Sequence, residues 1–452
     1  MNLNDKEKAG QAMHEMLREL WPLHRTINSD DLEHALNLCE GFLGGSEYYE
    51  IKQYPSGRDV LTWRVPERFK VNEAWLEVAG RRIADFAENP LHVLSYSLPK
   101  KVEGTLGEIR DHIWTRPDRP HAIPWEFKYY ERSWGWCVRH ADLESFADDA
   151  TVRGVIDTEF TDGPLCVGDF YLPGESSEDV LFLTNICHPC QVNDSIAGLV
   201  VGIAMARRLM KLPRRRLGFR LLITPETIGT IAWMATHPKE AACVRHAWFS
   251  EMLGQDAPFI LQRSRQGDAT IDRVFQLALR RRRRHGEESF GEFRKVVASD
   301  ELVTNGPGYD IPTPSLTRGQ FPQYHTSDDS PEIIRPENLE EGLEVFLDVW
   351  DILEKNYYPR RTFVGPVMLS RYGLWVDWRV DLELNLKTES IMLKLEGDKS
   401  IVDIAWECEL PMETVWAYLE RFHEAGLIEK KTTPWQEPGP FGFVTNDSNK
   451  GK

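Results

Sequence analysis

The sequence predicts an α/β protein: a mostly parallel sheet flanked by helices, with a small inserted β-rich domain and a helical C-terminal domain. Three observations predict it. From about Thr151, apolar runs of buried-strand length alternate with amphipathic helical stretches. Between about Tyr54 and Leu143, short strand-like pieces such as VLTWRV, AWLEVAG and HVLSYSL alternate with turns rich in Pro, Gly and Asn. Near the C-terminus, ESIMLKLEGDKSIVDIAWECELPMETVWAYLERFHEAGLIEKK reads as three short helices and a strand, the pattern of a winged helix. The expected divisions are an N-terminal helical part over 1–53, an inserted β-rich domain over 54–145, the α/β domain over 146–365 and a winged-helix-like domain over 366–452.

The elements follow in order. AGQAMHEMLREL has apolar residues at helical spacing, and Asp30 with Glu33 forms a capping pair ahead of LEHALNLCEGFL. The aromatic segment PWEFKYYERSWGWCV, Pro124 to Val138, fills the core of the inserted domain or reaches beyond it. VLFLTNICHP, GFRLLITPE and AWFSEMLG read as buried strands, and SIAGLVVGIAMARRLMKL as a helix with a basic C-terminus. A long amphipathic helix closes the α/β region near Asn356. The run Arg280 to Arg284 reads as a solvated helix end.

Composition narrows the classes of function. A chain of 452 residues predicts about two to four domains. Its 41% apolar content excludes disorder throughout. The longest apolar stretch, Leu199 to Ala206, is far short of the ~20 residues that cross a bilayer. Charges interrupt any apolar core of a signal peptide in MNLNDKEKAGQAMHEML. Seven scattered cysteines fit a reduced, cytoplasmic protein. The net charge of −17 disfavours nucleic acid as a general partner, and no membrane partner is expected. Between Leu384 and Lys431 there are six basic against ten acidic residues, so the winged helix is expected to pack or dimerise rather than read DNA.

Four segments place a metal-type ligand or a carboxylate just past a predicted strand or ahead of a helix. NICHPCQVNDSIAG offers His188 and Asp194, whose imidazole and carboxylate are standard zinc donors. TPETIGT offers Glu226, FSEMLG offers Glu251, and YHTSDD offers His325. Taken singly, each histidine reads as a hydrogen-bonded structural residue and each acid as a cap or surface group. Loops at the carboxyl ends of parallel strands are, however, where ligands bind.

The order of these segments resembles the co-catalytic zinc aminopeptidases of the bacterial leucyl aminopeptidase type, relatives of glutamate carboxypeptidase and glutaminyl cyclase. NDSIAG is similar to that family's Asn-Asp-Asn-x-Ser-Gly, FSEMLG to its Asn-Leu-Asp-Met-x-Gly, and HTSDD to its His-Thr-x-x-Asp. Over nearly the whole chain, LRELWPLHRTI, the YY…WGWC segment, CHP…ND…G, PETIGT, QRSRQG, SDE and YHTSDD resemble bacterial aminopeptidase-like proteins often linked with polysaccharide biosynthesis. The resemblance implies a phosphorylase/hydrolase-like zinc-peptidase sandwich with an inserted β domain and a C-terminal winged helix. It implies zinc held by His188, Asp194, Glu251 and His325, one ion tightly and a second weakly, with Glu226 as general base. Two departures stand out: Thr227 replaces a carboxylate ligand, and Cys190 replaces an aspartate that orients the histidine. Asp256 or Asp300 are candidate substitutes for the missing ligand, and Cys190 is expected to be structural or to orient rather than ligate.

The expected activity is cleavage of an amide bond, releasing an N-terminal residue from a small peptide or aminoacyl conjugate. Alternatives are a degenerate, non-catalytic metal- or ligand-binding protein, an amide hydrolase in polysaccharide or natural-product biosynthesis, and a regulator with a peptidase-like sensor. For substrate binding, Arg263 and Arg265 are spaced to share one face of a strand and grip a carboxylate or phosphate; surface ion pairs are the equal alternative. Asp300 and Glu301 are candidates for a free amine, Tyr324 for an oxyanion, and Trp134 with Trp136 for the cleft wall. A homo-oligomer stays open.

Overall fold

A computed structural model describes residues 6–45, 47–282, 289–319, 321–437 and 439–440. The chain divides into two compact units, 1–267 with 285–344, and 268–284 with 345–452.

The first unit is built on an eight-stranded sheet. Its strands run in the order Tyr49–Tyr54, Leu165–Leu172, Gly218–Thr224, Asp179–Asn185, Val244–Ser250, Ser315–Thr317, Ile260–Gln262, Ser289–Gly291. The four from Gly218–Thr224 to Ser315–Thr317 are parallel, as expected. Outside them the pairing turns antiparallel on both sides, so the sheet is mixed. Asp179–Asn185 and Gly218–Thr224 are buried at every position, which is why they read as unbroken apolar runs rather than alternating ones. Helix Ile196–Leu209 is buried over nearly its whole circumference. Gly198 lets it close on the sheet, because a Cβ there would lie 2.0 Å from the Ser250 carbonyl oxygen.

The inserted β-rich part forms its own sheet, ordered Arg81–Asp85, Arg68–Val78, Thr151–Thr161, Lys100–Thr105, all antiparallel. Tyr49–Tyr54, ahead of the insert, edges the large sheet, whereas Thr151–Thr161 belongs to the small one although the insert was expected to end at 145. TVRGVIDTEFT alternates buried and exposed residues, the mark of a strand with one face in solvent.

The N-terminal segment forms helices Lys6–Leu20 and Asp30–Phe42. The cap of the second is Ser29, whose side chain accepts from the Leu32 amide; Asp30 is already the first helical residue.

The second unit holds Thr270–Arg281, the helices Leu382–Met392, Ile401–Cys408 and Met412–Glu424, and strand Ile428–Lys431. The expected start at 366 is too late, since the unit takes in everything from Val345 and also 268–284. Three helices and a following strand are present, but the first begins at Leu382, ahead of the expected segment that starts at Glu389. The strand pairs antiparallel with Tyr358–Arg361, from ahead of the helices, and no second wing strand follows it among the described residues. The arginine run does more than face solvent. Arg280 lies over the Trp406 ring, and Arg281 pairs with Glu413 at 2.6 Å; Arg283 and Arg284 lie outside the described residues.

No helix among the described residues is long and apolar enough to cross a membrane.

Candidate active site

Three neighbouring parallel strands, Gly218–Thr224, Asp179–Asn185 and Val244–Ser250, end on one edge of the large sheet. Each hands its chain to a loop bearing a predicted residue: Glu226, then His188 with Asp194, then Glu251. The loop after Ser315–Thr317 brings His325. All five line one cavity of about 360 Å³. Cys190, Thr227, Met252 and His325, one in each of these four loops, adopt a positive φ, a sparsely populated conformation that clusters at ligand-holding sites.

His188, Asp194 and His325 offer ligand atoms that all lie within 4.8 Å of one another. His188 Nε2 is 3.9 Å from one Asp194 oxygen, and His325 Nε2 is 3.0 Å from the other. Donors about 2.0–2.1 Å from a tetrahedral zinc stand roughly 3.3 Å apart, so this spacing suits one ion. A second observation agrees. Asp194 Oδ2 and His325 Nε2 are both buried and neither makes a hydrogen bond, although they face each other. Lone pairs converging on a shared cation explain that pairing. The donor set therefore fits zinc.

Electrostatics supports the same reading. Burial holds the His188 imidazole down at about 4, so it is neutral and carries a free lone pair. The Ser195 hydroxyl donates to the Asn185 carbonyl at 2.9 Å, leaving its oxygen as acceptor 3.4 Å from His188 Nδ1. That fixes the proton on Nδ1 and the lone pair on Nε2. Burial pushes the Asp194 carboxyl up, but the two imidazoles more than offset it and hold it below the usual carboxylate range. Glu226 Oε2 stands 3.5 Å from His188 Nε2. Enclosure in the cavity wall, then the Asp194 charge, lift its carboxyl to about 7. Glu251 lines the cavity without joining the group of three, and burial drives its carboxyl well up.

Groups that the sequence did not flag hold these loops. Asp329, the last residue of YHTSDD, accepts the backbone N–H of Asn193 at 2.8 Å and of Asp194 at 3.0 Å. Buried Arg25 donates to the carbonyls of Ile186 and Gln191, on either side of His188, and to that of Leu20. The Trp21 indole N–H reaches the Cys190 carbonyl at 3.0 Å. Trp125 stands edge-on to both imidazoles, with ring centroids 4.7 Å from His188 and 4.6 Å from His325.

Several expected residues are elsewhere. Trp136 is fully buried in the core of the small sheet and Trp134 stacks on His112; Trp125 and Phe127 of the same aromatic segment meet the site instead. Cys190 has its side chain in an apolar cluster, and Cys187 is the thiol near His188 Nδ1, at 4.0 Å. The strand expected to carry Arg263 and Arg265 ends at Gln262, so they do not share a strand face. Arg265 pairs with Asp310, Arg263 lies over Phe290, and neither lines the cavity; Arg294 and Lys295 do. Of the SDE segment only Ser299 reaches the cavity wall. Asp300 accepts the Thr227 amide at 3.0 Å, and Glu301 accepts the Ser299 amide and pairs with Arg294. Asp256 is exposed. Tyr324 lines the cavity with its ring stacked on His325, centroids 3.9 Å apart.

Residues 14–356 match the model of a family described as a domain of unknown function, DUF4910. The chain belongs to the DUF4910 family. This DUF4910 chain is 29% identical over 438 residues to a Clostridium acetobutylicum protein named for polysaccharide biosynthesis and an aminopeptidase-like domain, covering 94% of this chain and 98% of that one. A crystal structure from the same organism, named as that of a peptidase, superposes with a TM-score of 0.83 at 25% identity over 95% of this chain and 98% of that one. BSAP, a zinc aminopeptidase from Bacillus subtilis, gives 0.55 at 15% identity over 75% of this chain and 93% of its own. The fold is thus that of the peptidase M28-like aminopeptidases.

Proposed function

We propose that this DUF4910 protein is a zinc-dependent hydrolase of amide bonds, releasing an N-terminal residue from a small peptide or aminoacyl conjugate. The observation that carries the reading is the position of Glu226, 3.5 Å from His188 Nε2 and outside the ligand trio. A general base has to stand beside the metal rather than on it. A bound zinc ion supplies Lewis acidity here, acidifying water and polarising a carbonyl.

The remaining work falls to side chains. Glu226 takes a proton from the attacking water and returns it to the leaving nitrogen. The C–N bond breaks, the hydroxyl stays on the acyl fragment, and the hydrogen leaves with the amine. Burial, which raises the Glu226 carboxyl, favours holding the proton between the two halves of that exchange. Burial raises the Tyr324 phenol and keeps it protonated, so it can donate to the developing oxyanion. Trp125 and Phe127 restrict water around the imidazoles.

The test is Glu226→Gln. Zinc content is expected to stay at the wild-type value while hydrolysis of aminoacyl anilides falls about 10²–10⁴-fold. Unchanged turnover in the zinc-replete variant eliminates the base. A second reading puts the same chemistry on an amino-sugar or natural-product intermediate, and the Clostridium relative's polysaccharide-biosynthesis name favours it.

A further inference from the structure

We propose that the leaving portion of the substrate carries a carboxylate, gripped by Lys295 and Arg294. The inference rests on the hydrolase reading above and adds a substrate class to it. Both side chains line the cavity that holds the ligand trio and Glu226. Arg294 is fixed in place: it donates to the Ser299 carbonyl at 3.1 Å and to Glu301, a fully buried carboxylate, at 3.1 Å. Those bonds use one guanidinium nitrogen and leave other N–H donors of the fork for a ligand. Lys295 is exposed at the same wall, and its ammonium has no ion-pair partner among the described residues.

The two acids that follow Ser299 are committed elsewhere. Glu301 serves Arg294 and the Ser299 amide, and Asp300 serves the Thr227 amide, so neither offers a free charge to a substrate amine. Of the other charged side chains in the lining, Asp194, Glu226 and Glu251 belong to the metal and base positions, so Lys295 and the spare Arg294 donors are the charge left for a substrate, and it is positive in a chain of net charge −17. A cavity of about 360 Å³ lies at the low end of ligand pockets, a size for a dipeptide rather than a polypeptide. In a substrate that short, the amine released by hydrolysis carries its own α-carboxylate. A forked cation beside a point cation is a good receptor for that group.

The experiment uses the full-length, zinc-loaded Glu226→Gln variant, so binding is read without turnover. Calorimetry compares a panel of twenty X-Ala dipeptides with the matching X-Ala amides. At least one acid is expected to bind about tenfold or more tighter than its amide, and Lys295→Met is expected to erase that difference. Equal affinity for acids and amides, no binding by any acid, or a preference that survives both Lys295→Met and Arg294→Lys overturns the proposal. A tighter grip on X-aminomethylphosphonate than on X-Ala overturns it in favour of phosphate. If wild-type protein binds the acids but never cleaves them, the hydrolase reading fails and the carboxylate site stands.

A separate surface carries a second inference: we propose that the second unit pairs with a second copy of this chain. Among the described residues, nine of the 17 exposed large apolar side chains lie between Val364 and Leu393. Leu386 (70% exposed) is among them, as are Trp375 (61%) and Leu393 (81%), which line a groove of about 700 Å³ together with Phe363, Met368 and Met392. Together the nine expose on the order of 1,000 Å², against ~800 Å² that a stable interface takes from each partner. Residues 363–393 contain three basic and four acidic side chains, nearly neutral in a strongly acidic chain, so two copies repel least there. Light scattering at about 50 μM is expected to give twice 52.2 kDa, and Leu386→Glu to give the single mass with an unchanged Tm. A monomeric wild type, or a variant that stays dimeric, overturns the pairing.

Discussion

His325 Nε2 lies 3.0 Å from Asp194 Oδ2, two buried atoms that face each other without a hydrogen bond. Asp194 meets both imidazoles, one at each oxygen, whereas each histidine contributes a single nitrogen. Asp194→Asn is therefore expected to lose zinc more completely than His325→Ala, and each by more than ~100-fold, beyond what supporting residues usually contribute. Metal analysis after gel filtration reads it directly. Stoichiometric zinc in Asp194→Asn would falsify the shared-ligand arrangement.

Acidity should govern how much zinc stabilises the protein. Glu226 has its carboxyl raised to about 7, above its unfolded value, so in the metal-free fold it favours low pH and loses stability as pH rises through 7. Glu251 is likewise raised well above the usual carboxylate range, chiefly by burial, and acts in the same direction. His188, lowered to about 4, is neutral in the fold at both pH values and so offers its lone pair at both; against its unfolded value of 6.5 it makes the metal-free fold more stable as pH rises from 5.5, the opposite direction to the carboxylates. A cation relieves the cost of ionised carboxylates. The gain in Tm on adding zinc is thus expected to be larger at pH 8 than at pH 5.5. Scanning calorimetry at the two values checks it, and equal gains refute it.

Arg25 ties the N-terminal helices to the His188 loop through the carbonyls of Ile186 and Gln191. Arg25→Met leaves these buried acceptors short of a donor, which costs about 1–3 kcal/mol for each group left unsatisfied. Because the carbonyls flank His188, zinc affinity should also fall about 10- to 100-fold, while Arg25→Lys restores part of it. Competition with a chelator measures the affinity separately from Tm. Lost stability with unchanged affinity would make Arg25 a general structural residue.

How much of this was legible in the sequence depends on range. The buried strands announced themselves as unbroken apolar runs, and the strand-end positions of Glu226, Glu251 and His188 followed from them. Asp329 sat inside a quoted motif, but its role depends on backbone amides 135 residues away, which no spacing reveals. Arg263 and Arg265 alternate in the sequence as strand residues do, but the strand stops at Gln262 and leaves both beyond its end. The insert's end was misplaced because composition shifts near 145, while the alternating run Thr151–Thr161 continues the small sheet. Trp125 and Trp136 are equally aromatic in the sequence, and only the fold separates the one at the site from the one in the core.

That separation yields a test with opposite outcomes at two tryptophans of one segment. Trp125 accepts no charge and binds no metal. Its indole N–H is held by Ser95 at 3.1 Å, its backbone N–H reaches the His325 carbonyl at 2.9 Å, and its ring edges meet both imidazoles. Trp125→Ala removes the wall that fixes both rings, so zinc affinity should drop along with stability. Trp136 packs among Leu76, Val78, Val152 and Ile156, and Trp136→Ala should cost about 3–5 kcal/mol, as large core truncations do, with zinc affinity unchanged in the folded fraction. Chelator competition and denaturant unfolding on the two variants separate the effects. Equal losses of zinc affinity would mean that the small sheet supports the site as a whole, and Trp125 would have no special part in it.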